Sequence, residues 1–384
     1  MLNTAESKYM LSFKLDSQLT KQLISLKERV DEKYELIKAM SPEALSAIHR
    51  FARISMIGAS TRIENAVLTD SEIDWMDFVI GKDAKTTAFD AQRTRIEDKL
   101  SKDKQRSIEE VAGCRAMLHL IYEQTDDLAP ISETGIRGLH AELLRHHSKP
   151  GVIAGAYKSS PNSVVEQNSE TGERRSVFQT ADPGVVTQTA MTDLVSWCRE
   201  AVTEEPWTLP VACEFAYRFL AIHPFQDGNG RVGRGLFLLM LLQAPDAKLS
   251  TVSRYLAIDR HIERHKEDYY LVLNQCSGGA FSPDPQRYQI QFFLKFMTKI
   301  LEGSLEDVQF YKTKHENFRK LSESALMVLS CFKERPELRL KPKEIIETTR
   351  LPRRTVSYVL ADLAEKRFLQ KYGQRAGIRY QLVF

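Results

Sequence analysis

His223-Pro224-Phe225-Gln226-Asp227-Gly228-Asn229-Gly230-Arg231-Val232-Gly233-Arg234 is the stretch on which the reading of this chain turns. Gly228 and Gly230 flank Asn229 where an apolar helical pattern, Arg231 to Leu242, begins. Glycine opens backbone angles closed to other residues and lets a ligand come close. A helix starting here aims its unpaired N–H groups and its positive dipole end at the loop, which makes an anion site. Arg231 and Arg234 stand three apart and project from one face of the first turn. Two guanidinium groups beside an anion cradle suit a polyphosphate. Asp227 supplies a hard carboxylate oxygen, the usual ligand of a Mg²⁺ ion that bridges phosphates. His223, four residues earlier, has the ring chemistry of a general base for a hydroxyl nucleophile. Pro224 and Phe225 fix the turn and anchor it in the core. Singly, each residue has a plain structural reading: a satisfied histidine, a surface turn, a solvated helix face. Their coincidence within twelve residues points to a polyphosphate cradle with a base beside it.

The flanking sequence reads as helices. Leu19, Leu23, Leu26, Val30 and Tyr34 recur at three- and four-residue spacing. Ser41-Pro42-Glu43 opens a second helix, with Ser41 as N-cap and Pro42 at its first position. Helical patterns continue over 91–122 and 131–147, until Pro150-Gly151 breaks them. Residues 155–183 differ: Tyr157, Val164, Val165, Val177 and Phe178 surround a polar middle, 167–173, as two short strands and a turn would. A lone hairpin is marginal in water, so this one must lean on the helical body or serve a partner. Helical patterns return over 186–203, 209–222, 255–275 and 287–307, and a polar connecting helix is expected over 302–320. The body is expected to be all-α with one β-hairpin.

The C-terminal part has its own character. Residues 321–384 carry 13 Lys+Arg against 7 Asp+Glu, a net of +6 in a chain whose total is +3. The basic end therefore sits on a mildly acidic body, and their partners need not be the same. Helical patterns around Leu326, over 343–349 and over 353–363 precede two alternating segments, Phe368 to Tyr372 and Ile378 to Leu382. Three helices and a hairpin resemble a winged helix-turn-helix. Such a module implies duplex DNA as a partner, with Arg353, Arg354, Ser357 and Lys371 as the contacting residues. The same module in other settings binds protein or pairs with its twin.

No apolar run reaches the ~20 residues that span a bilayer. Met1-Leu2-Asn3-Thr4-Ala5-Glu6 lacks a basic region followed by an apolar one, so no secretory signal is expected. The five cysteines, Cys114, Cys198, Cys213, Cys276 and Cys331, are isolated, which argues against a zinc site or disulfide framework and for a cytoplasmic setting. His261-Ile262-Glu263-Arg264-His265 looks like a zinc-protease helix, but the acid does not directly follow the first histidine.

The opening stretch matches, at every specified position, the motif of the Fic family, His-x-Phe-x-(Asp/Glu)-Gly-Asn-Gly-Arg-x-x-Arg. The resemblance covers roughly 41–299 and includes the all-α body with one hairpin. It implies a protein adenylyltransferase that moves AMP from ATP to a Ser, Thr or Tyr hydroxyl of a protein and releases pyrophosphate. By position, His223 resembles the general base and Asp227 the Mg²⁺ ligand. Gly228, Asn229 and Gly230 resemble the anion hole, Arg231 the arginine that supports the phosphates, and Arg234 the one that meets the γ-phosphate. The Doc branch, which phosphorylates, departs from Gly-Asn-Gly-Arg in this loop; this chain does not. Similar proteins use the hairpin as a flap that pairs with an extended target segment, here through Tyr157-Lys158 and Val177-Phe178. Tyr269-Tyr270 resembles a tyrosine pair that follows the family motif.

Ser60-Thr61-Arg62-Ile63-Glu64-Asn65 fits the family's inhibitory pattern, (Ser/Thr)-x-x-x-Glu-(Gly/Asn). Glu64 is expected to pair with Arg234 and compete with the γ-phosphate, while Ser60, four residues earlier, reaches the anion loop. The resemblance divides the chain into a helical region with the inhibitory motif (1–110), a Fic core (111–301), a connecting helix (302–320) and the winged helix (321–384). It implies Mg²⁺ and ATP, a protein target that includes the enzyme itself, and a homodimer. Two alternatives stay open: a DNA-binding regulator whose Fic domain senses nucleotide, and a bifunctional enzyme that also removes AMP.

Overall fold

The structure is a computed structural model that describes residues 11–81, 88–100, 104–147, 153–167, 174–333 and 335–383. It is mostly helical. The N-terminal helices begin where the sequence offers caps. Asp16 accepts the Leu19 N–H (2.7 Å) at the start of α1 (Ser17–Lys38). Ser41 caps α2 (Pro42–Ile63), with proline in the first turn. Thr69 and Glu72 form a reciprocal capping box on α3 (Asp70–Ile80). Then come α4 (Ala88–Leu100), α5 (Gln105–Glu123) and α6 (Glu133–Leu143). The strands β1 (Ser163–Gln167) and β2 (Arg174–Gln179) precede α7 (Val185–Glu204), α8 (Thr208–Ile222) and α9 (Asn229–Leu242). The body closes with α10 (Ala247–Ser253), α11 (Ile258–Arg264), α12 (Lys266–Ser277) and α13 (Ile290–Arg319).

One hydrophobic core runs from Leu11 to Val308. Helix α9 is its centre, with every residue from Arg231 to Leu242 buried. It packs against α8, α5, α6 and α10, and α2 crosses it while lying on α5, α11 and α13. The C-terminus of α2 and the N-terminus of α11 thereby meet the first turns of α9. That junction is where the motif lies.

Several elements differ from the sequence reading. The pattern over 91–122 is two helices, α4 and α5, and that over 255–275 is broken at His265, which closes α11 and opens α12. The separate connecting helix expected over 302–320 is the continuation of α13, a single 30-residue helix. Its exposed residues are polar enough to look like a linker. Its other face keeps Ser304, Leu305, Val308 and Tyr311 buried, and Tyr311 donates to Ser55 Oγ of α2 at 3.0 Å.

The hairpin is present, but its strands are not where Tyr157-Lys158 places the first of them. Ser163 pairs with Gln179 and Val164 with Phe178, and after a register shift Val165 pairs with Ser176. Tyr157 instead makes an isolated bridge to Phe225. The expected turn residues 168–173, and the break at Pro150-Gly151, lie outside the described residues. The base of β2 is held to the body at Gln179, whose N–H donates to Gly279 O (2.8 Å) and whose carbonyl accepts from Phe281 N (2.7 Å).

A second core lies in the C-terminal part. Helices α14 (Glu323–Lys333), α15 (Pro342–Thr349) and α16 (Arg353–Glu365) bury Val328, Phe332, Ile345, Val356, Leu360 and Leu363 together with Tyr380. Strands β3 (Leu369–Tyr372) and β4 (Arg379–Leu382) are antiparallel, and Leu340 adds a bridge to Tyr380. All five cysteines are free and buried. No helix among the described residues is long and apolar enough to cross a membrane.

Candidate active site

Helix α8 ends at His223, which takes a left-handed conformation (φ 53°) while its N–H still bonds Phe219 O at 2.9 Å. Its Nδ1 lies 3.2 Å from Leu220 O. A carbonyl only accepts, so Nδ1 carries the proton and Nε2 keeps its lone pair. Burial pushes the pKa of this ring down to about 4, against the opposing pull of the Leu220 carbonyl. His223 is therefore neutral at physiological pH, with Nε2 as a base.

The loop that follows is closed from within. Asn229 Oδ1 accepts the Phe225 N–H (2.9 Å), and its Nδ2 donates to Phe225 O (2.7 Å). The Asn229 side chain is thus consumed as a staple, and only its backbone N–H can face a ligand. Phe225 stacks on His140 at 3.7 Å between centroids and 7° between planes. His140 Nδ1 accepts the Gly155 N–H (2.9 Å), so Nε2 bears the proton and donates to Asp227 O (3.0 Å). Burial lowers this ring's pKa to about 4, and the one tautomer holds the loop in place. Gly228 has φ +81°, and a Cβ there would press on Leu143 and the His140 ring. No side chain caps the N-terminus of α9, whose first N–H groups point into the site.

The two arginines diverge rather than forming one face. Arg231 turns back over the loop, with NH2 3.5 Å from Asp227 Oδ1. Its Nε and NH1 are buried with no hydrogen-bond partner. A guanidinium desolvated in this way wants an anion. Arg234 reaches across to α2 and α11. Its NH2 donates to Glu64 Oε1 (3.1 Å) and Ser60 O (2.8 Å), and its Nε to Asp259 Oδ2 (3.2 Å). Burial disfavours its charge, but the Glu64 and Asp259 carboxylates outweigh burial and hold the pKa above the usual arginine value. Ser60 Oγ lies 3.3 Å from Arg234 NH2 and also bonds the Asp259 carboxylate. Ser60 is therefore spent on Arg234 and not on the anion loop, contrary to the sequence expectation.

Glu64 closes α2 directly over the start of α9. A Cβ on Gly230 would overlap Glu64 Oε1, so glycine is what admits a carboxylate, or a phosphate oxygen, to this helix N-terminus. The end of α2 is itself clamped. Arg62 Nε and NH2 bond both oxygens of Glu263 on α11 (2.6 and 2.9 Å), and NH1 bonds Asp70 of α3 (2.6 Å). Asn65 follows in a left-handed conformation (φ 72°) and accepts from Lys266 Nζ at 3.2 Å.

The base of the hairpin is tied to the same loop. Lys158 is buried and donates from Nζ to Asn162 Oδ1 (2.8 Å), Thr180 Oγ1 (3.0 Å) and Ile222 O (3.1 Å). Burial lowers its pKa to about 8. Asn162 Nδ2 donates to Phe225 O at 2.7 Å. Tyr269 is buried and Tyr270 half-exposed on α12, and Tyr269 hydrogen-bonds Arg234.

His223, Asp227, Gly228, Asn229, Gly230, Arg231, Arg234, Ser60 and Glu64 thus converge at one junction. Sequence reasoning missed Asp259, His140, Lys158 and the Arg62–Glu263 clamp. Asp259 carried a faint signal as the first acidic residue of the helix that opens after Ala257. His261 of the apparent zinc helix is spent on Asp307 (2.9 Å), and Glu263 on Arg62.

Residues 130–241 match the Fic/DOC family. Over 108 residues, 28% of this chain and 22% of the relative, the chain is 32% identical to Protein adenylyltransferase Fic of Nematostella vectensis. It thus spans under a quarter of that protein's length. A Fic-domain-containing signaling protein from Bacteroides thetaiotaomicron superposes with a TM-score of 0.55 at 23% identity, over 76% of this chain and 97% of the other. A Fic family protein from Desulfovibrio desulfuricans gives 0.55 at 20% identity, over 97% and 98%.

Proposed function

From a chain whose residues 130–241 form a Fic/DOC domain, we propose a protein adenylyltransferase. It takes AMP from Mg-ATP, attaches it to a Ser, Thr or Tyr hydroxyl of a protein, itself included, and is held off by Glu64. The observation that carries this reading is Arg231. Its buried, unpartnered guanidinium nitrogens lie beside an uncapped helix N-terminus and a neutral histidine with a free Nε2. Phosphates have a place to bind, and a hydroxyl has a base.

Roles follow from the contacts. The N–H groups of Asn229 and Gly230 and the Arg231 guanidinium receive the α- and β-phosphates, while the Gly228 N–H, which the sequence also assigned to them, is held by Asp227 Oδ1 at 2.7 Å. His223 Nε2 takes the hydroxyl proton as the hydroxyl oxygen attacks the α-phosphorus and pyrophosphate leaves. Asp227 would hold the Mg²⁺. Among the described residues no group of three or more His, Cys, Asp or Glu converges, and one carboxylate plus phosphate oxygens is the kind of set Mg²⁺ takes. When bound, that ion neutralises charge on the phosphates. The hairpin, tied to the loop through Lys158 and Asn162, presents a target segment by strand addition.

Incubating the protein with each of the four nucleoside triphosphates and measuring its intact mass tests the transfer. A mass increase of one nucleoside monophosphate, with ATP preferred, is the expected result. Gain of a phosphoryl group alone points to kinase chemistry. Removal of AMP is the subsidiary reading, since Glu64 is only 32% exposed beside the loop and can orient a water.

The ring environment gives a pH prediction. Because burial depresses the His223 pKa to about 4, the base form persists as pH falls through 6.5 and is lost near 4. Histidine NMR should show the Nδ1–H tautomer of His223 down to that range. Titration near 6.5 contradicts the assignment of a buried neutral base.

The C-terminal part supports a second role. We read α14–α16 with β3 and β4 as a winged helix that binds duplex DNA. Arg353, Arg354 and Ser357 are exposed on α16, and Lys371 on β3. Binding to any duplex should weaken steeply as salt rises. No gel shift at low salt leaves the module as a protein-binding or self-pairing unit.

A further inference from the structure

Beside Asp227 stands a histidine for which the proposed chemistry has no use. His147 follows the turn after α6. Its side chain is only 7% exposed, and its Nε2 is buried with no hydrogen-bond partner. That nitrogen lies 3.9 Å from Asp227 Oδ2. The separation is too long for a hydrogen bond. It is wider than the ~3 Å between adjacent donors of an octahedral cation and close to the ~4 Å between opposite ones. The other oxygen is committed elsewhere: Asp227 Oδ1 accepts the Gly228 N–H at 2.7 Å and faces Arg231.

The histidine is also fixed in place. Its backbone N–H bonds Leu144 O at 3.0 Å. Its neighbour His146 is pinned by Asp90 (3.1 Å) and packs on Phe89 (4.6 Å between centroids). His140, on the other side of Asp227, has both ring nitrogens engaged and cannot ligate.

We infer that His147 Nε2 is a second protein ligand of the divalent cation held by Asp227. The inference rests on the reading of Asp227 given above. An imidazole in the coordination sphere has a consequence. Mg²⁺ favours oxygen donors, whereas Mn²⁺ and Co²⁺ accept nitrogen more readily. The site should therefore favour Mn²⁺ over Mg²⁺ more than an all-oxygen site does. His147→Ala should reduce that preference by about tenfold.

Pulsed EPR of Mn²⁺ bound to the whole 384-residue chain with inorganic triphosphate tests this directly, because only the protein then supplies nitrogen. The expected result is a directly coordinated ¹⁴N coupling in the unsubstituted protein. It should be lost in His147→Ala, retained in His223→Ala, and changed by ¹⁵N-labelling of histidine. The labelling result holds even if His147→Ala does not fold. Mn²⁺ bound in an Asp227-dependent way without nitrogen coupling overturns the inference and leaves Asp227 in place. Mn²⁺ that does not bind, or that binds equally to Asp227→Ala, overturns both.

Discussion

Glu64→Gly raises nucleotidyl transfer by about ten- to a hundredfold, including transfer onto the protein itself, because each ~1.4 kcal/mol of bias is tenfold. The carboxylate does two things. It bonds Arg234 at 3.1 Å, and it lies over Gly230 where a phosphate oxygen would approach the α9 N-terminus. Glu64 is 32% exposed and so partly screened, which keeps the expected gain to one or two tenfold steps. The structure also shows why removal should not unravel the site. Arg234 keeps Asp259 at 3.2 Å and the Ser60 carbonyl at 2.8 Å. No uncompensated buried charge is left, so the midpoint of thermal unfolding should change little. Activity measured alongside a melting curve checks both halves. Unchanged activity in a folded Glu64→Gly protein removes the autoinhibition.

The second large effect is loss of transfer in His223 variants. Removing a positioned general base costs roughly 10²- to 10⁴-fold. The choice of substitution matters because His223 is left-handed at φ 53°. Alanine is strained there, by roughly 1–2 kcal/mol, while asparagine adopts such angles readily. His223→Asn therefore separates lost chemistry from lost loop shape. Both variants should bind nucleotide and fail to transfer it, measured as kcat at saturating ATP. Full activity in His223→Asn means that another group takes the proton.

What the sequence revealed, and what it hid, follows from the range of the interactions. The motif was legible because its parts are local. Glycine angles, a helix start and charges within one turn of each other need no knowledge of the rest of the chain. Caps such as Ser41-Pro42 were legible for the same reason. The groups that hold the site together join residues far apart in sequence. Asp259 meets Arg234 across 25 residues, His140 meets Asp227 across 87, and Arg62 meets Glu263 across 201, with no local pattern to announce them.

Two misreadings have physical causes. Tyr157-Lys158 reads as strand sequence because an aromatic residue stands next to a polar one, yet the Lys158 ammonium is turned inward to clasp Asn162, Thr180 and Ile222. The second half of α13 looks like a polar linker because its buried face is narrow, and Tyr311 binding Ser55 was not visible from spacing. The contest for Arg234 was foreseen as a choice between Glu64 and phosphate. The structure adds permanent holders, Asp259 and Ser60, so the contest concerns the space above Gly230 as much as the arginine itself.

The central claim is AMP transfer by the loop at 223–234 under restraint from Glu64. Incubating Glu64→Gly with ATP labelled at the α- or the γ-phosphate tests it most directly. Label should enter protein from the α-position only, at a rate well above that of the unsubstituted chain, and His223→Asn in the same background should abolish it. Entry of label from the γ-position, or α-labelling that ignores both substitutions, contradicts it.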